Sequence, residues 1–112
     1  MAQELLDYEK ALQRIGGDDE FLIELLSDLV NQVDDSLESL RQAINDNNYE
    51  NLKTLSHGLK GAAANLNVNR LAAHLLELED LGVDKKTDGA LELLDLVCQD
   101  RDELQQFIIS SN

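Results

Sequence analysis

The stretch DEFLIELLSDLVNQVDDSLESLRQAIN, residues 19–45, decides the fold class of this chain. Its apolar residues recur at steps of three and four: Leu22, Leu25, Leu26, Leu29, Val33, Leu37, Leu40 and Ile44. This spacing places them on one face of a long amphipathic helix. Gly16-Gly17 ends the preceding helix, and Asp18-Asp19 supplies an N-cap and first-turn acids for this one. Residues 45–48 (Asn-Asp-Asn-Asn) form a turn after it.

The same periodicity on both sides of this stretch predicts four more helices, at Leu5–Ile15, Asn48–Leu66, Arg70–Leu81 and Ala90–Ile109. Asn67-Val68-Asn69 should break the chain, since Asn tolerates the left-handed conformation and also caps helices. We expect Gly82 to end the fourth helix and residues 83–89 to form a polar loop. The inward face of the last helix should carry Leu91, Leu94, Val97, Cys98, Leu104 and Ile108.

Four substantial amphipathic helices with short connections predict an all-α fold, an up-and-down antiparallel four-helix bundle with a short additional N-terminal helix. The chain has 112 residues and no proline, and 43% of its residues are apolar while only 4% are aromatic. Leucine and other aliphatic side chains must therefore build the core. We expect a single domain over residues 1–112, and a monomer.

Charge and cysteine content narrow the classes of partner and compartment. The formal net charge of −14 disfavours nucleic acid and anionic membranes as partners. No apolar run is long enough for a membrane span, the N-terminus lacks the pattern of a signal peptide, and Cys98 has no second cysteine to pair with. These features predict a cytoplasmic protein. Lys53, Lys60 and Arg70 predict a less negative region around the third helix.

The third helix carries the candidate chemistry on its outward face. At about 100° per residue, His57 points away from Leu55 and Leu59, and Lys60 and Gly61 follow on the same face. A neutral imidazole is a nucleophile near neutral pH, Lys60 would attract phosphoryl oxygens, and Gly61 would leave space beside the ring. The arrangement therefore suits phosphorylation of His57 by a second protein.

The residues 56–66, SHGLKGAAANL, resemble the signature of histidine-containing phosphotransfer (HPt) domains of two-component phosphorelays. Residues 71–77 (LAAHLLE) and 16–22 (GGDDEFL) are also similar to segments of that family. The resemblance implies a four-helix bundle with His57 as phosphoacceptor, Lys60 as the phosphate-facing cation and Gly61 as the clearance residue. It also implies that receiver domains of response regulators or hybrid sensor kinases are the partners, and that the divalent ion belongs to the receiver.

Other sites are less well supported by the sequence. The chain has no phosphate-binding glycine loop, so we expect no ATP binding and no kinase activity of its own, and no cofactor. Glu-x-x-His spacing is missing, which argues against a metal site in the bundle. His74 is interpreted as a packed or boundary residue and Cys98 as a buried, inert thiol. A non-catalytic helical docking module that binds a signalling partner through the His57 face remains the alternative.

Overall fold

The computed structural model describes residues 4–111, and those residues form helices and no strands. The helices are α1 (Tyr8–Arg14), α2 (Asp19–Asn45), α3 (Tyr49–Asn65), α4 (Asn69–Val83) and α5 (Ala90–Ser110). Helix α3 packs on α4, α4 on α5, and α2 on both α3 and α5, so the four long helices close into a bundle. Helix α1 packs against α2. The predicted all-α four-helix bundle with a short N-terminal helix is confirmed.

A leucine-rich core holds the bundle together, as the apolar stripes predicted. The largest side chains with less than 2% exposure come from every long helix: Leu22, Leu26, Leu29, Leu40, Leu52, Leu71, Leu75, Leu78, Leu94 and Leu104. Full burial of one such side chain contributes about 1.5–3 kcal/mol relative to exposure. Leu25, Leu37 and Cys98 are only half-buried, and Leu91, expected inward, is 41% exposed, so the predictions of burial at these positions were wrong. Rotation of a helix decides burial at the edges of its apolar stripe.

The helix ends follow the local chemistry of Asp and Asn. The Asp18 carboxylate accepts a hydrogen bond from the Phe21 N–H at 3.1 Å, and the Asn48 side chain accepts one from the Asn51 N–H at 3.1 Å. Asn67 adopts the predicted left-handed conformation, with φ 57°. It does not cap α4, which begins after Val68 without a side-chain cap. The Asn67 side chain instead accepts a hydrogen bond from Arg14 at 3.1 Å, which attaches α1 to the end of α3.

Gly82 does not end the fourth helix, as the sequence had suggested, but lies buried within its last turn. A Cβ atom at this position would lie 2.8 Å from the backbone nitrogen of Lys53 and 2.9 Å from the carbonyl oxygen of Tyr49. Real Cβ atoms do not approach backbone atoms so closely. The glycine is therefore required for close approach of α4 to α3, and the helix ends at Val83.

None of the helices within residues 4–111 is both long and apolar enough to span a membrane.

Substitution Gly82→Ala should destabilise the fold even though alanine favours helices. The added methyl group must push the two helix backbones apart, so we expect a net loss of about 1–2 kcal/mol in the free energy of unfolding. Urea denaturation followed by circular dichroism measures this loss. Gly58→Ala is the matched control, since a Cβ there meets nothing within 4 Å and should stabilise by about 0.5–1 kcal/mol. A Gly82→Ala variant as stable as the Gly58→Ala variant would contradict the packing argument.

Candidate functional site

His57 lies on the outward face of α3, as the helical spacing predicted. Its side chain is 67% exposed, while Ser56 before it and Leu59 after it are buried. The ring is therefore held on a fixed helix whose opposite face is anchored in the core. A second protein could reach the ring without any movement of the bundle.

Glu79 of α4 connects His57 with Lys60. Its carboxylate lies 2.7 Å from Lys60 Nζ through Oε1 and 3.1 Å from His57 Nδ1 through Oε2. Lys60 Nζ is 3.5 Å from the same ring nitrogen, which is long for a hydrogen bond. The main interaction of Lys60 is therefore the ion pair with Glu79, and its contact with the ring is weak.

This contact determines which ring nitrogen is available for chemistry. A carboxylate can only accept, so the Nδ1–H of His57 donates a hydrogen bond to Glu79 and the proton stays on the ring. The neutral ring then has its lone pair on Nε2, the nitrogen on the outer edge. The arrangement offers a nucleophilic nitrogen to the surface and keeps a negative charge behind the ring.

The electrostatic environment keeps Glu79 ionised. The hydrogen bond from Lys60 and the weaker influence of His57 hold the pKa of the Glu79 carboxyl below its usual value, and the desolvation caused by partial burial opposes them. Its side chain is 17% exposed, so solvent screens these interactions only partly. A neighbouring cation thus offsets the cost of placing this carboxylate between two helices.

Small residues leave the surface beside His57 open. A Cβ atom built on Gly58 or Gly61 would meet nothing within 4 Å, so neither glycine is required by packing inside the chain. Gly61 follows Lys60 on the outward face, and Ala64 one turn later is exposed. Substitution at these positions would fill space outside the bundle, next to the imidazole.

The sequence did not identify Glu79. It lies among 23 acidic residues and had no special spacing to His57 along the chain. The signal that could have found it is its position four residues after Leu75 and three before Gly82, at the edge of the buried stripe of α4 that faces α3.

Arg70 and His74 belong to a separate cluster on the other side of α4. Asp100 of α5 is only 2% exposed. Its carboxylate pairs with Arg70 Nε at 2.8 Å and with His74 Nδ1, and Arg70 also contacts Glu103. The structure thus confirms His74 as a boundary residue, whereas Arg70 binds α5 and does not contribute to the less negative region around His57. The sequence did not predict the burial of Asp100, because an acidic residue at an apolar position of a helix is interpreted as an interruption of the pattern.

Cys98 lies half-buried on α5, and the desolvation caused by burial raises the pKa of its thiol. A raised pKa keeps the thiol protonated and therefore poorly reactive. Within residues 4–111 no group of three or more His, Cys, Asp and Glu side chains is placed to hold a metal ion.

Comparison with known proteins places this geometry in context. The family model for the Hpt domain matches residues 24–108. The crystal structure of histidine-containing phosphotransfer protein B (HptB) from Pseudomonas aeruginosa PAO1 superposes with a TM-score of 0.85 at 21% sequence identity, over 98% of this chain and 96% of that one. At this identity the structural likeness concerns the fold. No curated protein matches the chain in sequence.

Replacing Glu79 by Gln should change how stability depends on pH. Because the pKa of Glu79 is lower in the folded than in the unfolded chain, its ionised form stabilises the fold above its usual pKa of 4.5. That contribution is lost as the pH falls through the lower, folded-state pKa. The difference in unfolding free energy between wild type and Glu79→Gln should therefore be positive at pH 7 and shrink as the pH falls below 4.5. Glu77→Gln, at an exposed carboxylate on the same helix, is the control and should show no such trend; equal pH profiles for both variants would contradict the assignment.

Proposed function

The chain belongs to the Hpt domain family, and on that premise we propose that it is a phosphorelay intermediate. His57 accepts a phosphoryl group from the phospho-aspartate of one receiver domain and passes it to the aspartate of another. The observation that carries this proposal is an exposed imidazole whose Nδ1 contacts Glu79 at 3.1 Å, with Lys60 one turn away on the same face. The chain acts as a carrier, without ATP-dependent kinase activity of its own.

The proposed chemistry uses Nε2 of His57 as the nucleophile. Its lone pair attacks phosphorus in line with the leaving aspartyl oxygen, so a nitrogen–phosphorus bond forms while the oxygen–phosphorus bond breaks. The ring retains its Nδ1 proton and becomes a phosphoimidazolium, and the receiver regains a free carboxylate. Glu79 stabilises the positive charge of the ring, because its carboxylate accepts a charge-assisted hydrogen bond from Nδ1–H. The reverse step returns a neutral imidazole with the same proton still in place.

Lys60 and Gly61 support the transfer in different ways. Lys60 is a flexible cation near the reacting ring, and it would offset charge that develops on the three phosphoryl oxygens. Gly61 leaves the space in which the receiver must bring its aspartate close to the ring. We propose both roles on the basis of position: Lys60 Nζ is 3.5 Å from His57, and a side chain at Gly61 would project into open space.

The receiver docks on the outward face of α3 in this proposal, and it supplies the divalent ion that phosphoryl transfer uses. The protein would act as a cytoplasmic monomer, with residues 1–112 as one domain. The lone Cys98 and the acidic surface, which disfavours membranes and nucleic acid, support this setting.

Replacing His57 by Gln should abolish phosphoryl uptake. We expect wild-type protein mixed with a phosphorylated receiver to acquire an acid-labile, base-stable label, and the His57→Gln variant to acquire none. The measurement is transfer of radioactive phosphate between the two proteins, separated by gel electrophoresis. His74→Gln is the control and should retain the label. Labelling of His57→Gln would contradict the proposed acceptor, and a wild-type chain that binds receivers without labelling would favour the non-catalytic docking module.

Replacing Lys60 by Ala should slow transfer without unfolding the bundle. Loss of a preorganised charge-stabilising donor at a reacting centre costs about 100- to 1000-fold in rate. We expect a smaller loss here, about tenfold, because Lys60 is paired with Glu79 at 2.7 Å and must leave it to reach the phosphoryl group. Rapid-quench kinetics measure the rate, and circular dichroism checks the fold. Lys86→Ala, an exposed lysine in the loop before α5, should transfer at the wild-type rate. Equal rates for Lys60→Ala and wild type would remove Lys60 from the mechanism.

A further inference from the structure

A groove follows the seam between α3 and α4, starting at the candidate site. One open pocket is lined by Lys53, Thr54, His57 and Glu79. A second pocket towards the α2–α3 turn is lined by Asn47, Asn48, Tyr49, Glu50, Lys53, Gly82, Val83 and Lys85. Lys53 lines both pockets, so they adjoin. We call the combined feature the α3–α4 groove.

The close packing of α3 and α4 at Gly82 shapes the bottom of the groove. The two helix backbones approach closely there because Gly82 has no side chain. Val83 next to it therefore stands beside the seam and is 57% exposed, the highest exposure among the large apolar residues of the described chain. The groove thus offers an apolar contact point, Val83, beside the seam of the two helices.

The groove is neutral where most of the surface is acidic, because Lys53 and Lys85 balance Glu50 and Glu79 in its lining. Lys53, Lys60 and Lys85 lie along it or beside it, which is three of the nine basic residues in the chain. Glu79 neutralises Lys60, but Lys53 is paired only with the 80% exposed Glu50 at 3.6 Å, and no ion pair within residues 4–111 involves Lys85. Such an exposed pair contributes little, so the charge of Lys53 remains available to a partner.

The opposite side of α3 has the reverse character. Helix α2 packs there, and between Asp18 and Leu40 the sequence has eight acids and no Lys or Arg. Within residues 4–111, only Asp34 of these acids is paired with an arginine, Arg101, and Arg41 is the one basic residue of α2.

A phospho-aspartate brings a group of about −1.5 to −2 charge. The carboxylates that hold the receiver's divalent ion are offset by the two positive charges of that ion, so the partner surface stays negative mainly through the phosphoryl group. A partner surface of this kind is repelled by α2 and attracted by Lys53 and Lys85.

We propose that the α3–α4 groove is part of the receiver-docking surface and binds the acidic rim around the receiver's phosphorylated aspartate, with Lys53 and Lys85 as the contacting cations. This inference rests on the proposed phosphotransfer function and adds the side from which the partner approaches. The receiver would lie across α3 towards α4, with Val83 as an apolar contact at the far end of the groove.

Two double charge reversals with equal net charge test the proposal. Lys53→Glu/Lys85→Glu changes the groove, and Lys10→Glu/Lys86→Glu changes exposed lysines that do not line it. Both variants become more negative by the same amount, so any difference between them reports position and not total charge. The donor is the phosphorylated receiver domain that transfers fastest to the wild-type chain, chosen from the source organism's response regulators and hybrid kinases. Circular dichroism checks the fold of both variants.

We expect the groove variant to lose at least tenfold in kcat/KM for transfer at low salt relative to the control variant, and to recover most of that loss at 0.5 M salt, where the Debye length is only a few Å. Labelling of His57 by phosphoramidate, a small donor that needs no docking, should be equal in both variants at 0.5 M salt, where the charge at position 53 beside His57 is screened. Equal kcat/KM values for the two variants would overturn the groove as a docking surface while leaving the phosphotransfer function intact. Failure of the wild-type chain to accept phosphate from any receiver, despite phosphoramidate labelling, would overturn both proposals.

Discussion

The close approach of α3 and α4 at Gly82 is the constraint on which the candidate site depends. His57 and Lys60 belong to α3, whereas the carboxylate that joins them belongs to α4, three residues before the glycine. A side chain at Gly82 would meet the backbone at Tyr49 and Lys53 and separate the helices. Contacts of 2.7 and 3.1 Å could not survive a separation of even one ångström without rearrangement. A packing feature one turn away thereby determines the geometry around the imidazole.

The sequence predicted the helices well, because each depends on a pattern within its own segment. The stripe of α2, the Asp18 cap and the left-handed Asn67 all follow from residues close together in the chain. The outward direction of His57 follows in the same way from its distance to Leu55 and Leu59.

Contacts between helices were less accessible to sequence reasoning. Glycine near a helix end commonly serves as a stop, and local sequence cannot distinguish that role from the close contact that Gly82 makes. Glu79 and Asp100 could be assigned only once the rotation and register of the helices were known. Asp100 in particular interrupts an apolar stripe, and its partners Arg70 and His74 lie 30 and 26 residues away.

A chain with nine basic and 23 acidic residues leaves most of its acids without a cation. The ion pairs that the few Lys and Arg residues form are therefore informative. Arg70 pairs with the buried Asp100, and Arg101 donates to both oxygens of Asp34 at 2.8 and 2.9 Å, so two arginines attach α5 to its neighbours. Removing one partner of a buried pair costs about 3–5 kcal/mol. Two arginines, of which Arg101 is bidentate, hold the scaffold, and a lysine stands at the proposed reacting centre.

The shared carboxylate of Glu79 has a consequence for the direction of signalling. In the proposed relay, rotation of its own side chain would let Lys60 leave Glu79 for a phosphoryl group, while the second carboxylate oxygen keeps its contact with the imidazole. Loading and unloading would then require no backbone movement, so both forms would present nearly the same shape to a receiver. A carrier that loads and unloads without a conformational change has no structural feature that favours one direction of phosphoryl transfer. In the proposed relay, the flow of phosphate would then be set by the concentrations and phosphorylation levels of the receivers on either side.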